Sequence, residues 1–325
     1  MRAQGHELVT FGVEDSESMH PIDTQGFFGM LKTASVIKRE NIDHVSVQFI
    51  MPFYRKKFMG LNFILFLWAM RKKRVIVTLH EVHRLRSWSQ LLRKPADLAH
   101  IVIEGLIARL SSGVILLTDA QNTDLRHYGA RRTRTVYLGI LPKPFPRTRT
   151  QFDQALFFGK LLPTKGVHLF PGIARACPHV HFTIACSVEP NHAAYRDELV
   201  GAFEGIPNIT FLCKDWIGDE EKDGYFAKAD VLVLPYVDTY YQSGVAAESG
   251  VYNIPNVIPR LGPLSEITEK FRTGVAIDYP SPEAVRDAIQ EIFADYPAYL
   301  EGIRRYRQEA NWAEAARKYL NYLET

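Results

Sequence analysis

The chain has 325 residues, 46% of them hydrophobic and 23% charged, an ordinary globular composition with length enough for two domains and two cores. Its three cysteines, Cys177, Cys186 and Cys213, are widely spaced, which argues against a disulfide framework or a zinc site and fits a reducing cytosol. The net charge of +3 hides a split: residues 1–150 hold 23 basic and 12 acidic side chains, residues 151–325 hold 16 and 24. The first half therefore suits an anionic partner or is a solvated basic face. No zinc finger, RNP-type aromatic motif or basic repeat supports nucleic acid, which leaves an anionic membrane surface as the partner to consider.

The opening MRAQGHELVTFGV lacks the zones of a signal peptide. Apolar runs predict strands at His6–Phe11, His44–Phe49, Arg74–Leu79, Gly113–Leu117, Arg134–Tyr137, Ala155–Phe158, His181–Ala185, Ile209–Leu212, Val231–Leu234 and Asn256–Ile258. Many are Val, Ile and Leu without alternation, the pattern of parallel strands buried on both faces. Helix-like segments alternate with them, so the prediction is a doubly wound α/β architecture. Phe58–Met70 is an apolar run of 13 residues between basic clusters, Arg55–Lys57 and Arg71–Arg74. Crossing a bilayer takes about 20 residues, so it reads as a buried helix or as a segment dipping into an anionic interface. Leu141–Gln154, rich in proline, reads as a linker, and Trp312, Ala315, Ala316, Tyr319 and Leu320 give the tail helical spacing.

Three constellations carry chemistry. In FFGKLLPTKG, a strand ends at Gly159 and a turn brings Lys160 and Lys165 to its carboxyl end, where two lysines neutralise a diphosphate. Ser243, Gly244 and Val245 open a helix whose free N–H groups suit phosphate, and Glu248 one turn later suits a ribose. The small neighbours of Glu248, Ala246, Ala247, Ser249 and Gly250, indicate close packing, where an unpaired carboxylate is costly. His80 ends the strand at Thr78-Leu79, and His83 follows without a third ligand at metal spacing. Nucleophile elbow, Walker loop and D-x-D pair are all lacking.

In this order, FFGKLLPTKG, ADVLVLPY, SGVAAESGVYNIPNVI, GPLSEI and TGVAIDYPSPEAVRDAI resemble glycosyltransferase family 4, the group 1 glycosyltransferases of retaining GT-B type. Upstream, VIVTLHE, GVILLTDAQNTDLRHYGA and VYLGI look like the N-domain counterparts. The resemblance implies two Rossmann-like domains with parallel sheets facing a central cleft. Residues 1–143 would form the acceptor-side domain, 144–305 the nucleotide-sugar-binding domain, and 306–325 a helix crossing back to the first. It implies that Glu248 holds the donor ribose, Lys160 and Lys165 neutralise the diphosphate, and Gly159 and the 243–245 helix start approach it. The base would rest near Asp215-Trp216-Ile217 and His80 beside the donor sugar. No metal or other cofactor is implied; the nucleotide-diphospho-sugar is a substrate, and the enzyme would be cytoplasmic or peripheral on the inner membrane face.

The pattern departs from the family in places. The first Glu of the E-x7-E motif is Tyr240, with Tyr241 and Gln242 the nearest side chains to replace it. Lys160 stands for the usual Arg and loses its bidentate geometry. The chain begins where family members end their first βα unit, so the resemblance implies that this unit is absent and a central strand with it, which would leave apolar surface uncovered. The implied function is a retaining transfer of sugar from a nucleotide-sugar to a cell-surface glycan or glycolipid. The other reading is a degenerate GT-B protein that binds nucleotide-sugar or a partner without transfer.

Overall fold

Strand and helix alternate along both halves of the chain. The computed structural model describes residues 9–12, 20–24, 26, 28–50, 60–84, 95–143 and 151–324. The expected start of the first strand at His6, the basic cluster Arg55–Lys57 and half of the linker, residues 144–150, lie outside the described residues. Two units divide the chain: Met1–Tyr137 with Ala313–Thr325, and Leu138–Trp312. Ile140 and Lys143 bond within the second unit. Their backbone N–H groups donate to Ala310 O (2.7 Å) and Val251 O (2.9 Å).

In the first unit, β1 (Phe11–Gly12) and β2 (His20–Pro21) form a short parallel pair. Then come α1 (Gly29–Arg39), β3 (His44–Phe49), α2 (Leu61–Ala69), β4 (Arg74–Leu79), α3 (Pro95–Leu110), β5 (Gly113–Leu116), α4 (Asp119–His127) and β6 (Thr133–Thr135). β3 to β6 form a parallel sheet in chain order. Alternate residues of a strand face opposite ways. Val75, Val77 and Leu79 of β4 pack into the cluster of α1 and α2, while Ile76 faces the other side. The apolar run at 58–70 is largely core: Phe63, Phe66, Leu67 and Met70 are fully buried. Of its helix, Leu61 and Trp68 are left exposed, with Arg71 stacked 4.5 Å over the Trp68 ring.

The second unit runs β7 (Gln154–Lys160), α5 (Phe170–Ala176), β8 (His181–Ser187), α6 (Ala193–Phe203), β9 (Ile209–Lys214), α7 (Asp219–Lys228), β10 (Val231–Val233), α8 (Gly244–Tyr252), β11 (Asn256–Pro259), α9 (Glu266–Phe271), β12 (Gly274–Ile277), α10 (Pro282–Ala294) and α11 (Tyr296–Glu309). Its sheet is fully parallel in the order β12-β11-β10-β7-β8-β9. The first strand is therefore central, and the order reverses between β7 and β10, the topological switch point of a doubly wound sheet. β12, a short strand absent from the predicted set, closes one edge. Asp230, almost fully buried, accepts the N–H groups of Asp153 and Gln154 (both 3.0 Å), tying the start of β7 to β10.

Two features arise only from register and packing. Cys186 and Cys213, distant in sequence, are partners across β8 and β9, and both thiols are free. The last helix, α12 (Trp312–Glu324), buries Leu320 and Leu323 against Ile76, Ile115 and Val136 of the first unit's sheet. The hydroxyl of Tyr319 bonds to Ser46 Oγ and lies 3.3 Å from Thr78 Oγ1.

Candidate functional site

The switch point gathers the loops after β7 and β10. Val237 N–H donates to Thr164 O at 3.0 Å, joining the two loops. Gly166 makes the approach possible. Its φ is +69°, and a Cβ there would lie 1.8 Å from Pro235 O, so a side chain is excluded twice over. Gly159, at the end of β7, has φ +144°, while a Cβ would meet Val245 only at an ordinary 3.8 Å. Backbone conformation, not crowding, selects glycine there.

Lys165 lies at the centre of this junction. Its ammonium sits 3.7 Å from the centroid of the Tyr236 ring. Half-buried, it has no carboxylate partner among the described residues, and burial lowers its pKa to about 8. Tyr236 is fully buried, its hydroxyl 3.3 Å from Ser243 Oγ, and burial raises its pKa to about 12. Ser243 in turn caps α8, accepting the Ala246 N–H at 3.3 Å. A cation, a buried phenol and a helix start with free N–H groups are thereby fixed together. Such a set suits an anion with more than one charge.

The other candidate residues stand apart from that centre. Lys160 is exposed and pairs with Glu189 at 2.8 Å, a contact that lowers the Glu189 pKa. An exposed pair of this kind is weak and easily exchanged for another anion. Glu248 is half-buried and takes Lys222 Nζ on Oε1 at 3.3 Å; its Oε2 makes no hydrogen bond among the described residues. Trp216, in the loop after edge strand β9, is 79% exposed, a flat aromatic face open to a partner. Tyr240 packs its ring over the turn at Gly262, where a Cβ would come within 2.7 Å of it. Gln242 has both amide atoms buried without a hydrogen-bond partner, a costly arrangement one residue before the α8 cap.

His80 belongs to the first unit, at the carboxyl end of β4. Its Nε2 lies 2.9 Å from Gln48 Oε1, and burial lowers its pKa. Its carbonyl accepts the amide of Gln121 (3.0 Å), whose own carbonyl accepts the Leu117 N–H (3.1 Å). Gln121 thus ties the ends of β4 and β5 together, a role its polar sequence context did not signal. His83 is held by Glu104 and His100. Its Nδ1–H donates to Glu104 at 2.6 Å, its backbone N–H to the other carboxylate oxygen at 2.9 Å, and His100 Nδ1 lies 2.8 Å from its Nε2. Burial raises the Glu104 pKa, opposed by the bonds to His83. This network pins the loop that follows His80; Glu104 and His100 sit on α3, far away in sequence. Among the described residues no group of three or more His, Cys, Asp or Glu is placed to hold a metal ion.

Strand order, the glycine-shaped crevice and the capped helix define a doubly wound α/β protein. In structure the chain has the GT-B fold, two Rossmann-like α/β domains with parallel sheets. Residues 153–295 match the family Glycosyl transferases group 1. Among solved structures, sucrose-phosphate synthase from Thermosynechococcus elongatus superposes with a TM-score of 0.67 at 20% identity, over 91% of this chain and 78% of that one. HepE from Anabaena, solved with UDP, gives 0.71 at 16% identity over 94% and 85%. A glycosyltransferase from Rickettsia africae gives 0.69 at 13% identity over 99% and 91%. A comparison with curated proteins gave no match.

Proposed function

We propose that the protein is a retaining glycosyltransferase that moves a sugar from a nucleotide-diphospho-sugar to a glycan or glycolipid acceptor. The observation that carries this reading is Lys165, an unpaired, half-buried ammonium beside the capped start of α8 at the switch point. Breaking the anomeric C–O bond puts charge on the departing diphosphate. Lys165, Lys160 and the N–H groups of Gly244 and Val245 stabilise that charge, with Gly159 leaving room for its approach. Glu248, which contacts Lys222, accepts ribose hydroxyls, and Trp216 stacks on the base. HepE, of the same fold, is solved with UDP and with UDP-glucose, which supports a donor of this class. In this reading His80 contributes to turnover, and the acceptor attacks from the departing group's side. No enzyme nucleophile or metal takes part.

Tyr240 supports a second reading, a protein that binds the nucleotide-sugar or a partner without transfer. The ring covers Gly262 where the family places a carboxylate for donor-sugar hydroxyls. A panel of UDP-, GDP- and ADP-sugars separates the two. Sugar transfer or donor hydrolysis supports the first reading; nucleotide binding without turnover supports the second; neither overturns both. Glu248→Ala should weaken nucleotide affinity about tenfold, the loss of one charge-assisted hydrogen-bonding group. His80→Ala should lower kcat while leaving that affinity in place.

A further inference from the structure

The amino-terminal end of the first unit's sheet, opposite the end that carries His80, holds a cationic hollow. Arg109, at the end of α3, and Arg131 and Arg132, just before β6, line a cavity of about 550 Å3 together with Ser111 and Gly129. All three arginines are exposed, and none has a carboxylate partner among the described residues. In the second unit, by contrast, Arg196, Arg260, Arg286 and Arg304 each pair with Asp or Glu. The acids on the elements around the hollow are engaged elsewhere. Glu104 bonds His83, Asp124 faces Arg84 at 3.6 Å, and Asp119 accepts the Tyr137 hydroxyl at 3.2 Å. Helix ends explain part of the charge, because α3 and α4 both finish here and basic groups suit their carboxyl ends. Arg131 and Arg132 lie beyond both helices and are not so explained. Three guanidinium groups around one hollow repel each other until an anion joins them, and their planar donors fit phosphate oxygens.

A second observation narrows the anion. A trough of about 480 Å3 shares Arg109 and Gly129 with the hollow and continues along Ile101, Val102, Leu106 and Tyr128. The outward face of α3, which solvent should make polar, instead shows Leu98 and Val102 at 47% and 51% exposure, one turn apart. Apolar side chains running into a phosphate-sized cationic hollow match a lipid: headgroup below, acyl boundary beside it. A single nucleic-acid strand would call for a row of stacking platforms, and the lining residues offer only the adjacent rings of His127 and Tyr128. We infer that Arg109, Arg131 and Arg132, with the apolar face of α3, dock the first unit on a membrane surface rich in phosphate-bearing anionic lipid. This surface stands independently of the sugar-transfer reading.

Co-sedimentation of the full chain with phosphatidylcholine vesicles, with and without phosphatidylglycerol, tests it. Binding should require phosphatidylglycerol, weaken with salt, and persist in excess inorganic phosphate at matched ionic strength. The variant R109Q/R131Q/R132Q should lose about tenfold or more in vesicle affinity, by the usual worth of a basic residue at an anionic surface. L98S/V102S should weaken binding without changing its salt dependence. The control R196Q/R286Q/R304Q, which removes equal charge from the second unit, should bind like the parent. Unaltered circular dichroism shows that each variant is folded. Three results would overturn the inference: no vesicle binding, equal loss in the control triple variant, or single-stranded RNA displacing the vesicles through the same arginines.

Discussion

Lys165 shows how one residue's surroundings set its chemistry. An ordinary surface lysine holds its proton far above neutrality, whereas burial against Tyr236 brings this one down to about 8. The sign has two consequences. With Lys165 lowered in the fold, the unfolded chain binds this proton more tightly, so stability rises with pH from about 8 up to the ordinary lysine range and is flat below. Affinity for a nucleoside diphosphate goes the other way, declining as pH passes about 8, because the neutral amine no longer attracts the anion. Calorimetric titration of UDP, GDP and ADP across that range checks this, and Lys165→Met should flatten the pH response while weakening binding throughout. Lysine at a strand end was legible in the sequence. Its burial and the ring beneath it were not, because Tyr236 reaches it from the loop after another strand.

The crevice depends on elements approaching at a glycine. β7 and β10 diverge into loops that meet where Gly166 faces Pro235 O. Gly166→Ala must move that carbonyl and hold alanine at positive φ. We expect a loss of about 2–4 kcal/mol in denaturant unfolding, the strained backbone and the displaced contact combined. Gly205, also at positive φ but with open space around it, provides a contrast: Gly205→Ala should cost only the backbone part. If both cost the same, crowding at the switch point is not what Gly166 relieves. Helix α3 works at the same scale in a different way. One side buries Glu104 beneath the His80 loop, and the other presents Leu98 and Val102 outward, so one helix serves two faces.

At the scale of the molecule, every candidate diphosphate, ribose and base contact lies within Leu138–Trp312. That unit has its own six-stranded sheet and core. Expressed alone, it should bind nucleoside diphosphate within about threefold of the full chain and transfer no sugar; failure of the folded fragment to bind would remove the site from this unit. The sequence by itself determined the alternation of strand and helix, the GT-B class and the second unit's motif order. Short apolar runs and glycine turns are local, and β4, β5, β10 and β11 are buried on both faces. Tertiary structure decided the rest: that Phe63, Phe66, Leu67 and Met70 are core, that His83 is held by Glu104, that Cys186 meets Cys213, and that Glu248 leans on Lys222. It also decided that three unpaired arginines share one hollow. These depend on register and on helices packing back over a sheet, contacts between residues that no sequence window brings together.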